Sequence, residues 1–88
     1  MAKVYRVRFR SRSVRKELDA LDDDTYLRIV AVVYYLRENP RPAGVKKLIG
    51  QEAYRIRIGD YRVLYTVADK TKEVRIEAVR KRDERTYE

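Results

Sequence analysis

The chain has no cysteine and no histidine. The first absence removes disulfide staples and thiolate chemistry. The second removes imidazole as base, acid or metal ligand. Acidic residues number 14, but they show neither EF-hand spacing nor a dense cluster suited to a cation, so no metal and no other cofactor is expected. No phosphate-cradling Gly-rich loop, zinc-finger spacing or internal repeat is present. The longest apolar run, Ile29 to Leu36, is too short to cross a bilayer. The basic N-terminus is not followed by the apolar stretch of a signal peptide. The expectation is a cytoplasmic protein with no membrane association.

The 88 residues are expected to form one domain, 1–88, with a modest core and marginal stability. What the chain has in excess is positive charge. The net charge is +8, and Arg supplies 15 of the 22 basic residues. Arg presents a planar fork that matches phosphate and stacks on bases, whereas Lys acts as a point charge. The charge is also segregated: residues 1–18 carry +6, residues 19–45 carry −2 and residues 46–88 carry +4. A polyanionic partner follows from that distribution; the plainer reading is a solvated basic surface.

Period-two alternation marks the strands. In Val4–Phe9, Tyr5, Val7 and Phe9 oppose Arg6 and Arg8. Ser11 or Ser13 can cap a short helix carrying Val14, Leu18 and Leu21. Asp22, Asp23 and Asp24 suit the start of a second helix, expected over Asp24 to Glu38, because free N–H groups attract carboxylates. Its β-branched residues lower its propensity, so packing must hold it. Asn39-Pro40 ends it, and Arg41 to Lys47 is expected as a loop. Ala53–Ile58 and Tyr61–Val67 flank Gly59-Asp60 and read as a hairpin. A last strand, Glu73–Val79, sets Val74, Ile76 and Ala78 against Arg75 and Glu77. The highly charged tail, Arg80–Glu88, is too short for a domain. The class is α+β, ordered β-α-α-β-β-β, with an antiparallel sheet core and both helices packed on one face.

This pattern resembles the RelE/ParE superfamily of toxins. The resemblance covers nearly the whole chain. It rests on the opening YRVRF, the Asn-Pro helix end, Lys46-Lys47-Leu48 to Gly50, Tyr54-Arg55, Gly59-Asp60-Tyr61-Arg62, and the basic cluster with a tyrosine after the last strand. Within the superfamily the chain is more similar to the ribosome-dependent mRNA endonucleases than to the gyrase-directed branch. That resemblance implies a toxin of a type II toxin–antitoxin system that cuts mRNA in the ribosomal A site. It also implies site residues: Arg55 and Arg57 on the middle strands, Arg62 after the hairpin turn, Lys81 and Arg82 after the last strand, and Tyr87 near the end. Many relatives carry a histidine in the last cluster; this chain has none, which removes one route for proton transfer.

Residue chemistry supports the same reading. A metal-free ribonuclease can use the RNA 2′-OH as nucleophile and must then stabilise a more negative phosphorane. Converging guanidiniums answer that demand directly. Arg62 is expected as the central phosphate and transition-state contact, with Arg55 and Arg57 on flanking phosphates and Arg82 near the leaving group. Strand parity groups Arg55 with Arg57; whether Arg62 joins them depends on the hairpin register. Arg keeps its proton at any working pH, so Lys81, Glu77, Asp83, the ribosome or the RNA must handle proton transfer. Tyr87 can stack on a base. Lys46, Lys47, Arg6 and Arg8 fit contacts to the RNA backbone that carry little sequence choice. Each of these residues has an ordinary alternative as solvated charge or edge packing.

The implied partners are a cognate antitoxin, the 70S ribosome with its mRNA, and operator DNA only indirectly through the antitoxin. The rival functions are inhibition of DNA gyrase on the same scaffold, a non-catalytic nucleic-acid-binding module, and a purely structural partner protein. Fold alone does not separate them.

Overall fold

The alternating segments become the strands of one five-stranded sheet in the computed structural model, which describes residues 4–48, 50 and 53–81. The elements follow as β1 (Arg6–Phe9), α1 (Arg12–Asp19), α2 (Asp23–Tyr35), β2 (Lys46–Lys47), β3 (Ala53–Ile58), β4 (Tyr61–Ala68) and β5 (Glu73–Lys81). The sheet order is β1-β5-β4-β3-β2. The expected α+β class and the antiparallel β3-β4-β5 meander are both present. β1 adds to the meander in parallel, beside β5. The two-residue β2 lies antiparallel to β3, inside what the sequence reads as loop.

Both helices begin where short polar side chains can satisfy free N–H groups. The Ser11 hydroxyl accepts from Val14 N at 3.3 Å, and the Asp22 carboxylate accepts from Thr25 N at 3.1 Å. Asp23 and Asp24 occupy the first turn of α2, where the helix dipole favours them. Val14 and Leu18 of α1, Ile29 and Val33 of α2, and Leu36 just beyond it are buried. They meet Val63, Tyr65, Val67, Val74, Ile76 and Val79 from one face of the sheet. Each such side chain contributes about 1.5–3 kcal/mol when fully buried, which is what holds α2 against its poor propensity.

The hairpin turn needs a positive φ at its first central residue, and Gly59 supplies φ +59. A side chain there would also press on Arg28, whose Nη1 lies 3.2 Å from the position a Cβ would take.

A polar clamp closes the end of the sheet remote from that turn. Tyr65 OH donates to Pro40 O at 2.7 Å within the core. Arg41 donates to both Asp69 oxygens, at 3.2 and 2.9 Å, and to Tyr54 OH at 2.7 Å. Tyr5 OH donates to Asp69 Oδ1 at 2.6 Å. The chain after α2 is thus tied to β1, β3 and the β4–β5 turn.

A register shift between Leu64 and Tyr65 decides which residues of β5 face the core. Leu64 pairs with Ala78, but Tyr65 pairs with Ile76. The extra residue, a β-bulge, reverses the alternation of everything after it. Val79 therefore joins Val63 on the helix-covered side, while Ala78 joins Leu64 on the open side. This corrects the simple alternation expected for the last strand. The bulge lies where β1 has ended, and the Glu17 carboxylate of α1 accepts from Val79 N at 3.5 Å there.

Candidate nucleic-acid interface

The face of the sheet not covered by helices carries the arginines. In β3 the apolar residues Tyr54, Ile56 and Ile58 turn to the helices, so Arg55 and Arg57 turn away. The hairpin register then pairs Arg57 with Arg62 directly, and β4 pairs Arg62 with Arg80. Directly opposed residues project to the same side, with Cβ atoms about 4.5–5.5 Å apart. Arg57, Arg62 and Arg80 thus form one transverse row over three strands, close to the hairpin turn. A second row lies two residues along, roughly 7 Å away: Lys46, Arg55, Leu64 and Ala78.

Arg62 is the buried member of the first row, with 6% of its surface exposed, while Arg57 and Arg80 stand in solvent on either side. β2, β3 and β4 contribute no carboxylate to these rows. Beside them the chain at Ala43 and Gly44 overhangs β3. Those two residues enclose a hollow of about 390 Å³ with Lys46, Arg55, Ile56 and Arg57. That is within the size range of small-ligand sites. The arrangement can grip successive phosphates, and it can hold extra negative charge at the centre of the row, where Arg62 is shielded from water.

The structure brings together Arg55, Arg57, Arg62 and Lys46 from the sequence reading. Lys81 lies elsewhere. It pairs with Tyr61 on the helix-covered side and borders a different hollow, of about 360 Å³, with Asp22, Thr25, Arg28 and Asp60. Lys47 pairs with Tyr54 and so falls on that side as well. Arg80 takes the place on the open face that simple alternation gives to Lys81. Its signal lies in the bulge, which no local pattern in the sequence announces.

Arg6 and Arg8 share the open face but sit at its far edge, on β1. Arg8 Nη1 lies 3.1 Å from Glu73 Oε2. Glu77 accepts from Thr66 Oγ1 at 3.0 Å and from Arg75 Nε at 2.7 Å. It is tied to those groups, one row beyond Arg55, rather than placed beside Arg62. Arg82, Asp83 and Tyr87 lie outside the described residues. Among the described residues no three of His, Cys, Asp and Glu cluster to hold a metal. No helix among them is long and apolar enough to cross a membrane.

On the opposite side of the molecule, Val7, Phe9, Leu18, Tyr26, Val30 and Tyr34 surround an apolar groove of about 210 Å³, with Arg15 and Arg37 at its rim. Leu27, Tyr34 and Tyr35 are large apolar or aromatic side chains left exposed on α2.

The family model described as ParE toxin of type II toxin–antitoxin system, parDE, matches residues 7–86. Among solved structures, the chain is similar to the archaeal RelE–RelB complex from Pyrococcus horikoshii OT3, with 31% identity and a TM-score of 0.79, covering 94% of this chain and 99% of that one. It is similar to the isolated RelE toxin of E. coli, at 26% identity and a TM-score of 0.79, covering 90% of this chain and 85% of that one. It is also similar to the toxin–antitoxin complex RelBE2 from Mycobacterium tuberculosis, at 28% identity and a TM-score of 0.76, covering 90% and 99%. A search of curated protein sequences gives no match.

Proposed function

Because the chain belongs to the RelE/ParE toxin superfamily, we propose that it is the toxin of a type II pair and cuts mRNA in the ribosomal A site. The observation that carries this reading is the row Arg57–Arg62–Arg80, set by strand register on the open face of the sheet. The 2′-oxygen of the RNA attacks the adjacent phosphorus, and its proton leaves with a base. The bond from phosphorus to the 5′-oxygen breaks, and that oxygen takes up a proton. The products are a 2′,3′-cyclic phosphate and a 5′-OH. Arg62 holds the phosphate whose charge rises, and the bonds it makes strengthen most at that point. Arg57 and Arg80 grip it from the sides, and Arg55 with Lys46 holds the neighbouring backbone. Arg82 is assigned to the leaving oxygen and Tyr87 to a stacked base.

The row itself is made of guanidiniums, which stay protonated. Its work is alignment and charge stabilisation, and proton transfer falls to groups beyond it. A bound ribosome that orients the 2′-OH for in-line attack then supplies much of the rate. Lys47, Arg6, Arg8 and Lys81 act at most as outlying contacts to ribosomal RNA, with affinity that falls as salt rises.

The antitoxin partner of this reading is supported by the solved RelE–RelB and RelBE2 complexes. On this chain the apolar groove between β1 and the helices, rimmed by Arg15 and Arg37, suits an amphipathic segment with acidic flanks. Contact with operator DNA would come through that partner.

A second reading, inhibition of DNA gyrase, is favoured by the ParE name of the matching family. It gives the guanidinium row no role. The test is to map new mRNA 5′ ends on programmed ribosomes with wild-type protein and with Arg62→Ala. New ends within the A-site codon, absent with the variant, are expected. No ends with wild type, together with loss of supercoiling by gyrase, would replace this reading with the second.

A further inference from the structure

Two carboxylates of β5, Glu73 and Glu77, stand among the cations of the open face. Over β2, β3 and β4 the strands present Lys46, Arg55, Arg57 and Arg62 and contribute no carboxylate. Toward β1, three cations face carboxylates of β5. Arg8 lies 3.1 Å from Glu73, Arg75 lies 2.7 Å from Glu77, and Arg10 Nε lies 3.7 Å from the other oxygen of Glu77. The Thr66 hydroxyl of β4 donates to the same Glu77 oxygen as Arg75 does, at 3.0 Å. Glu77 therefore stands between those cations and β4. Its side chain is only 21% exposed, whereas those of Arg10 and Arg75 are 63% and 56% exposed.

We propose that Glu77 is a positioning residue that sets the edge of the RNA track and holds Arg10 and Arg75 out of the phosphate-binding set. This inference rests on the RNA-cutting reading above. A phosphate approaching Arg75 would have to displace a short charge-assisted bond and lie against a carboxylate. The same phosphate over Arg57 or Arg80 meets a further cation on the neighbouring strand. A backbone laid on this face is therefore held over β2–β4 and turned away at Glu77. Without that edge it could slide toward β1, and the phosphate over Arg62 would no longer be fixed. The bulge contributes by placing Glu77 beside Thr66 while returning Arg80 to the same face.

The experiment measures binding of the full chain to a short 2′-O-methylated oligoribonucleotide, which cannot be cut by 2′-OH attack, across a salt series. Glu77→Gln is expected to steepen the log affinity against log salt by about 0.7 for each phosphate gained, or about 1.4 if both Arg10 and Arg75 are released. Adding Arg75→Ala to Glu77→Gln should remove about half of that gain, a coupling that a general change of charge does not give. Asp24→Asn, a charge-matched change in the exposed first turn of α2, should leave the slope unchanged. Arg10→Ala with Arg75→Ala in the native background, a surface change that spares Glu77, should also leave it unchanged. A slope equal to wild type in Glu77→Gln, an equal rise in Asp24→Asn, or a fall in the double arginine variant overturns the role of Glu77 while RNA binding stands. Absence of binding by wild type, together with absence of cleavage on ribosomes, overturns the RNA reading and this inference with it.

Discussion

Replacing Arg62 by Met should leave the fold in place and make the protein catalytically inert. The side chain is 6% exposed and lies directly between Arg57 and Arg80 on the neighbouring strands. Met keeps most of its packing volume and removes the guanidinium. Loss of one donor aimed at developing charge costs about 10²–10³ in rate, and Arg62 offers a bidentate pair. The exposed Arg57 gives the matching control on stability: like charges facing each other across a sheet cost about 0.2–1 kcal/mol per pair, so Arg57→Met should melt no lower than wild type. Thermal melting by circular dichroism and single-turnover cleavage on programmed ribosomes measure both effects on the same preparations. A lower melting temperature for Arg57→Met would refute the electrostatic argument. Near-native cleavage by a folded Arg62→Met would refute the assignment of Arg62 to the reacting phosphate.

Three other expectations follow from single observations. Arg80→Ala should slow cleavage by about tenfold to a hundredfold, for about 1.5–3 kcal/mol lost with a charge-assisted contact, whereas Lys81→Ala, on the other side of the sheet, should leave the single-turnover rate nearly unchanged; equal losses would show that the open face alone does not define the site. Tyr65→Phe leaves the buried Pro40 carbonyl without its donor and should cost about 1–3 kcal/mol in a denaturant titration. The two ends of the pH scale give a linked test by melting temperature. Burial pushes Tyr65 from 10.0 up to about 12, so the stability it contributes is present below its unfolded value and is lost as pH rises through about 12. Hydrogen bonds from Arg41 and then Tyr5 hold Asp69 below its ordinary value. Its contribution is present above the unfolded aspartate value and is lost as pH falls through the depressed one. Tyr65→Phe should flatten the alkaline limb and leave the acid limb, whereas Asp69→Asn should flatten the acid limb and, by removing the main cause of the raised Tyr5 pKa, change the alkaline limb too; an unchanged acid limb in Asp69→Asn would contradict the assignments.

The helix starts and the hairpin were legible because their causes are local. Ser11 and Asp22 cap at their own positions, and β3 begins and ends at Ala53 and Ile58 as the alternation indicates. The class and, β2 apart, the element order follow from the periodicities along the chain, and the family from the combination of motifs between the opening YRVRF and the basic cluster after the last strand. Three features were not legible. β2 is two residues long, too short for any period to register. The end of α2 falls at Tyr35 rather than Glu38, in a tightening turn before Asn39-Pro40. The bulge at Glu77–Ala78 is followed by Val79, whose N–H donates to the Glu17 carboxylate sixty-two residues earlier, a tertiary contact that no local pattern announces. That last feature matters for the site, since it puts Arg80 rather than Lys81 beside Arg62. Arg55 and Arg57 share a face by parity alone, and the hairpin register then adds Arg62.

The account depends on the RNA supplying its own nucleophile while a row of guanidiniums holds the phosphate. Its most direct test is a ribosome programmed with an mRNA in which the nucleotide 5′ to the cut carries a 2′-methoxy group in place of 2′-OH. The account predicts that cutting at that linkage stops, while the unmodified message yields a 2′,3′-cyclic phosphate end. Continued cutting at the blocked linkage would mean that water or another group attacks, and the proposed chemistry would be wrong.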